Sequence, residues 1–194
     1  MSRPREFDVD RALHQSMEVF WTKGFKSTSF EDLTQTTRVK KQSLYGVFDD
    51  KRSLFLKALA LYRKQSVAVL EELVSQDDMS PIKKLDAIRG IALGQCHETI
   101  RRGCLMVNSA LEFGTDDKEV KREVEMMFAE VEQLLEKIIC SGQEQQLITT
   151  RYTSKELAAY LNNALQGAKM MEKSGASWEW IDMVLYTSFA MIVP

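Results

Sequence analysis

The chain has 194 residues, 44% hydrophobic and 28% charged, which is ordinary globular usage and excludes wholesale disorder. Lys and Arg total 26 against 28 Asp and Glu, a net charge of −2, so global charge does not advertise a nucleic-acid partner. At roughly 150 residues per domain the length allows one large domain, or a small one joined to a medium one.

Helix signals recur along the chain and strand signals do not. Val9, Leu13, Met17 and Phe20 share one face at helical spacing, with Asp8 as cap and Gly24 as the closing residue. Thr28, Ser29, Phe30 and Glu31 read as a capping box for a short helix to about Thr36, with Phe30 and Leu33 inward. Thr37 to Val39 is a tight turn. Lys40 to Gly46 is a second short helix with Leu44 inward, broken by Phe48 and Asp49. Asp50 caps a long helix whose apolar stripe runs to Val74. Ser80 and Pro81 start a helix to about Glu98. Arg101 to Gly103 is a turn, and Cys104 to Phe113 is an apolar helix closed by Gly114. Asp116 with Glu119 opens a helix to about Cys140, and residues 142–152 are the longest loop. Thr153 with Glu156 forms a further capping box for a helix to Lys173, closed by Gly175. Ser177 opens the last helix, which ends near Ile192. The predicted class is therefore all-α, with nine helices and no strand.

The charge is uneven. Residues 1–60 hold 11 basic and 8 acidic side chains, which fits a basic N-terminal module on an acidic body. The predicted boundary puts a DNA-binding module at residues 1–48 and a larger body at 49–194, joined by the long helix rather than by a linker. In the module, two short capped helices flank a tight turn. A helix-turn-helix needs this arrangement, with one helix bracing on the phosphate backbone and the next lying in the major groove. The second helix carries Lys40, Lys41, Gln42, Ser43 and Tyr45 on faces that Leu44 does not use. Lys and Ser suit phosphates or guanine edges, Gln reads adenine bidentately, and Tyr donates its hydroxyl to a phosphate. Lys51 at the start of the long helix adds a cation to free N–H groups, a favourable phosphate seat. A three-helix bundle with a solvated basic face is the plainer alternative.

The runs Phe20 to Leu33 and Val39 to Lys51 resemble the TetR family of bacterial repressors. The Gly24–Phe25 turn, Thr28 and Ser29 before Leu33, Val39 before the recognition helix, Ser43, Leu44 and Tyr45 within it, and Phe48 with Lys51 after it match that family's pattern over about 45 residues. The resemblance implies a nine-helix homodimer with an N-terminal DNA module and a C-terminal ligand-binding and dimerisation body. It places Thr28, Lys41, Ser43, Tyr45 and Lys51 where the family touches DNA, and Gln42 where bases are read. One departure is Arg38, which follows Thr37 where the family has Ala-Gly. Gly is favoured there because the turn often needs a positive φ, so Arg38 predicts a strained turn or an added phosphate contact.

In the body, Met106, Met127 and Phe128 fall beside Phe113 in helices expected to flank a cavity. With Tyr62, His97 and Cys104 they form the candidate ligand pocket, though filling of the core is the simpler account of the Met and Phe residues. A hydrophobic or amphipathic effector fits such a pocket better than a highly charged one. The last two helices carry Leu157, Leu161, Ala164 and Ala168, then Ile181, Leu185, Ser188 and Ile192. With the aromatic bulk of Tyr160, Trp178, Trp180 and Tyr186, more apolar surface is present than one inward face requires, and these are the expected components of a four-helix dimer interface.

Three cysteines, Cys96, Cys104 and Cys140, are too few and odd for a disulfide framework. Arg101, Arg102 and a helix N-terminus near Cys104 would lower its thiol pKa and open a redox- or electrophile-sensing reading; the alternative is a small buried side chain. Cys96, His97 and Cys104 match no common zinc spacing, so no metal is expected. No Gly-rich phosphate loop, H-E-x-x-H or G-x-S-x-G is present, so neither cofactor nor enzymatic activity is expected. His14 reads as structural. The first eight residues hold no signal-peptide apolar stretch, and no run approaches the roughly 18 apolar residues of a membrane span. The expectation is a cytoplasmic regulator whose partners are duplex DNA, a small effector and a second copy of itself. A helical small-molecule-binding protein without DNA function is the remaining reading.

Overall fold

The computed structural model describes residues 7–94 and 101–194. Those residues form nine helices: α1 (Val9–Lys23), α2 (Phe30–Thr37), α3 (Lys41–Phe48), α4 (Lys51–Val74), α5 (Pro81–Gly94), α6 (Leu105–Phe113), α7 (Lys118–Glu144), α8 (Ser154–Ser174) and α9 (Trp178–Ala190). The all-α expectation holds, and no described helix is long and apolar enough to cross a membrane. The predicted reach of α5 beyond Gly94 lies outside the described residues.

Helices α1 and α3 pack on the first half of α4, and α2 packs on α1. Phe20, Leu33, Leu44, Leu54 and Phe55 are all essentially solvent-free there. Burial of such side chains stabilises by roughly 1.5–3 kcal/mol each relative to exposure, which makes this the apolar junction of the small module with α4. The rest of α4 packs on α7, and α8 packs on α7 and α9. Leu135, Ile139 and Leu161 form the solvent-free centre of that second layer.

Capping chemistry sets the helix starts, in two places one residue away from the sequence reading. α2 is capped by Ser29, not Thr28: the Asp32 N–H donates to Ser29 Oγ, and the Ser29 N–H and hydroxyl both donate to Asp32. Asp satisfies the box as Glu does, which hid the true register. α7 is capped by Asp117, not Asp116, and Asp117 accepts the N–H groups of Glu119 and Val120. The Asp8, Asp50, Thr153 and Ser177 caps are as read.

α3 continues through Phe48, which is buried rather than a breaker. α7 continues past Cys140 to Glu144. Gly142 marks a close approach there instead of a helix end, since a Cβ on it would stand 2.4 Å from Ile148 Cδ1. The buried Ile148 folds the following loop back onto α7 across that gap.

Asp32 also pairs with Lys23 on α1. The Lys23 hydrogen bond, then the Ser29 N–H and hydroxyl, lower its pKa to about 2. The folded-state value lies below the unfolded value of roughly 3.9. The stabilisation is therefore complete above about pH 4 and is lost as the pH falls toward 2. Acid titration followed by circular dichroism should show the parent losing stability through that window. Asp32→Asn should be weaker at neutral pH and lack that component of the acid dependence.

Candidate nucleic-acid interface and effector cavity

The outer face of the module is built on α3. Arg38, Lys40, Lys41 and Gln42 are exposed, while Ser43 and Tyr45 are half-buried at its edge. No side chain caps α3, whose N-cap is Lys40, so its first N–H groups point outward beside two cations. An anion is favoured at such a place. Tyr45 stacks on Phe30 with ring centroids 4.6 Å apart, and the Lys41 ammonium lies 4.9 Å from the Phe30 ring centre. These contacts tie α3 to α2 and limit the freedom of Lys41. Arg38 adopts the left-handed conformation, with φ 57° and ψ 24°. That conformation costs a non-glycine residue roughly 1–2 kcal/mol, so the turn is strained as the sequence departure implied.

Two residues read as DNA contacts are committed inside the module. Thr28 is buried, and its hydroxyl donates to the Gly24 carbonyl. Lys51 Nζ donates to the carbonyls of Phe25 and Thr28, at 2.9 and 2.8 Å, and lies 4.3 Å from the centre of the Phe25 ring. Thr28 and Lys51 thus close the turn between α1 and α2, because three backbone carbonyls in that turn need donors.

The same turn is held from the body side. The Glu112 carboxylate, near the end of α6, accepts the N–H groups of Phe25 and Lys26 at 2.9 and 2.6 Å. Lys26 Nζ donates to the Glu112 carbonyl at 2.9 Å. Phe113 beside it was read as a pocket residue. It packs instead against Phe25 and Phe55, at 5.3 and 5.5 Å, in the aromatic cluster beneath the module. A second attachment joins α1 to the start of α6. Trp21 Nε1 donates to the Gly103 carbonyl at 3.1 Å, and Arg102 pairs with Glu18 while lying over the Trp21 ring. Gly103 has φ +64°, and a Cβ there would stand 2.7 Å from the Lys169 carbonyl, so glycine is required. Sequence reasoning missed Glu112 and Trp21. Nothing local marks a glutamate that caps a turn 87 residues away.

A cavity of about 320 Å³ opens between α1, α4, α5, α7 and α8. Of the expected pocket residues, Tyr62, Cys104 and Met127 line it. Met106 is fully buried in the core, and Phe128 lies on α7 away from the cavity, its carbonyl accepting from Asn162. His97 lies outside the described residues, as does Cys96, so the weighed Cys96–His97–Cys104 metal site is not described. Among the described residues no cluster of His, Cys, Asp and Glu could hold a metal. His14, read as structural, lines the cavity with Met17, Glu18 and Trp21 of α1.

Cys104 does not have the activated environment its neighbours in sequence implied. Arg102 is drawn to Glu18, and Arg101 donates to the Ala176 carbonyl. The thiol is buried, and burial pushes its pKa up. Tyr62, beside it, is likewise pushed up, first by burial and then by Cys104.

The expected dimer stripe faces inward. Leu157, Leu161, Ala168, Ile181, Leu185, Ser188 and Ile192 are buried within the single chain, and Ala164 is half-buried. They supply the contact of α8 and α9 with each other and with α5 and α7, which takes the most regular apolar face of each helix. The face left open carries Tyr160, Met170, Trp180, Met183, Tyr186 and Met191.

Known families account for most of this arrangement. Residues 12–58 match the family described as bacterial regulatory proteins, tetR family, and residues 81–179 match the tetracyclin repressor-like C-terminal domain. The chain belongs to the TetR family. It is a helix-turn-helix DNA-binding transcriptional regulator of that family. It is 28% identical over 190 residues to the transcriptional repressor ComR of Escherichia coli, covering 97% of this chain and 90% of that one. It is 31% identical over 170 residues to the regulator YezE of Bacillus subtilis, covering 84% and 85%. Among solved structures, a cysteine mutant of the TetR-family regulator CifR bound to 26-bp operator DNA is 25% identical, with a TM-score of 0.83 over 98% of this chain and 100% of that one. Reduced E. coli NemR shares the fold, at 22% identity and a TM-score of 0.85 over 95% and 96%.

Hydrogen bonds to a charged acceptor contribute about 1.5–3 kcal/mol. Of the two bonds the Glu112 carboxylate accepts, the one from Lys26 is solvent-exposed and contributes little, so Glu112→Ala should destabilise this TetR-family chain by about 2 kcal/mol and lower its melting temperature by roughly 4–8 °C. Glu112→Gln, which keeps one acceptor oxygen, should lose about half of that. Calorimetric melting of the three proteins checks the order.

Proposed function

We propose that the chain is a repressor that binds a palindromic operator as a homodimer and leaves it when a small effector enters the cavity. The exposed Arg38, Lys40, Lys41 and Gln42 on and beside an uncapped α3 carry this reading. Gln42 is the base reader, and the cations and the α3 N-terminus take phosphates. Lys51 sets the turn and keeps one N–H for a phosphate. The operator complex of CifR, a relative of similar fold over the whole chain, supports the same use of this surface. Residues 1–48 form the DNA-binding module in this reading, and residues 49–194 form the effector and dimerisation body.

The partner surface is the open face of α8 and α9. Of thirteen exposed large apolar side chains among the described residues, eight lie between Tyr160 and Val193. Such clustering marks an interaction surface, whereas scattered exposed apolar residues need no explanation. A two-fold pairing there is self-complementary and matches a palindrome with half-sites about 34 Å or a multiple apart. Release requires an effector that binds the operator-incompatible state more tightly.

Thiol sensing through Cys104 is disfavoured by its burial and raised pKa. Cys104→Ser should leave operator release unchanged on exposure to oxidant.

Selection of random duplex DNA on the purified protein tests the main reading. The expected winner is a palindrome whose affinity falls steeply with salt, by the counterions released at each phosphate contact. The Met183→Glu, Tyr186→Glu double variant should sediment as a monomer and enrich no palindrome. No enrichment by the parent, or dimers that survive both substitutions, would overturn it.

A further inference from the structure

The cavity is not confined to the body. Its wall includes His14, Met17, Glu18 and Trp21, all on α1 of the DNA-binding module, facing Tyr62, Ser66 and Val69 of α4 and Leu165 and Lys169 of α8. A molecule in it would touch the module directly. Its volume of about 320 Å³ is at the small end of ligand sites, which run from roughly 300 to 1,000 Å³. Trp21 and Tyr62 meet edge to face at 5.0 Å beside it. Met17 and Met127 complete a wall of aromatic and sulfur surface that suits a flat ring.

The carboxylate and the ammonium in this wall, Glu18 and Lys169, are already mated, while the exposed His14 adds an imidazole. Glu18 is held by Arg102. Lys169 Nζ donates to the Ala92 carbonyl at 2.7 Å and to Glu172 at 2.9 Å. Glu172 is almost fully buried and also accepts the Gly103 N–H. Apart from the exposed His14, a counter-ion for a charged ligand comes only by displacing Arg102 from the part-buried Glu18 or the almost fully buried Glu172 from Lys169, which leaves the abandoned partner uncompensated. Neutral polar groups line it as well, Gln65 and Ser66 on α4 and Gln166 on α8, while the buried Tyr62 hydroxyl is already bonded to its neighbours.

We propose that this cavity takes an uncharged, flat molecule of about two rings with a single hydroxyl or carbonyl, and that the molecule acts by contacting α1 at Trp21. The polar group pairs with the Gln65 and Ser66 side chains of α4. The ring system lies against Trp21, Met17 and Met127. Trp21 is also the donor to Gly103, so a ligand that moves the indole loosens the attachment between α1 and α6. This deepens the effector reading above and rests on it for the consequence at the operator, but the binding itself is measured without DNA.

Three isosteric probes separate the charge classes: 4-phenylphenol, biphenyl-4-carboxylate and biphenyl-4-ylmethylammonium. Titration calorimetry on the full chain should show the neutral probe bound roughly tenfold or more tightly than either ion. The indole N–H resonance of Trp21, assigned with Trp21→Phe, should shift on binding while those of Trp178 and Trp180 stay in place. Val69 is about half exposed at the cavity wall, so Val69→Trp should leave the melting temperature unchanged and abolish binding of 4-phenylphenol. An ion bound as tightly as the neutral probe, a Trp21 signal that does not move, undiminished binding to Val69→Trp, or no binding of any probe would each overturn the proposal. An operator selected as above with no probe bound would sink this inference alone. Probe binding without any operator would sink the repressor reading alone.

Discussion

The carboxylate of Glu112 caps two backbone N–H groups of the turn that leads into the helix-turn-helix, and the placement of α3 depends on that bond. The turn between α1 and α2 has no regular partner of its own. Its donors go to Glu112, and its carbonyls receive Lys51 and Thr28. A buried or half-buried turn must have every such group satisfied. Here the side chains that satisfy them come from two other helices, α6 and α4, and from Thr28 of the turn itself. The module is therefore fixed to the body through polar bonds of defined direction as well as through the apolar contact with α4. Apolar contact alone would permit sliding; directed bonds specify one orientation.

This division explains how a ligand-sized cavity can matter to a DNA-reading surface. The cavity shares Trp21 and Glu18 with the second attachment, in which α1 meets Gly103 and Arg102 at the start of α6. Glu112 sits at the other end of the same nine-residue helix. A shift of α6 or of Trp21 therefore reaches both attachments, one directly and one through a rigid helix of less than three turns. Such coupling needs two discrete arrangements that differ in ligand affinity. The interface described is one of them.

Much of the fold was legible in the sequence, because helix starts and stops are local events. Asp8, Asp50, Thr153, Ser177 and Gly175 act where their chemistry placed them. The errors at Thr28 and Asp116 come from adjacent residues of equal capping ability, between which only the tertiary register decides. Helix α3 and its exposed face were legible because Leu44 must point inward, which leaves Gln42 and the lysines out. What the sequence misplaced was the apolar stripe of the last two helices. Leu161, Ile181 and Leu185 formed the cleaner stripe and were therefore taken by the chain's own core. The more aromatic and irregular face with Trp180, Met183 and Tyr186 was left outside. Phe113 and Met106 failed as pocket residues for the same reason. Glu112 and Trp21 were invisible because their partners lie more than eighty residues away in the chain.

Hydrogen exchange at the Phe25 and Lys26 amides measures the central attachment most directly. Both belong to a turn at the protein surface, where exchange would ordinarily be fast. Bonded to Glu112, they should exchange about as slowly as amides within α6, and Glu112→Ala should release them while the α6 interior stays protected. Exchange at unprotected-loop rates in the parent protein would show that the module is not held as described, and the coupling between cavity and recognition helix would fail with it.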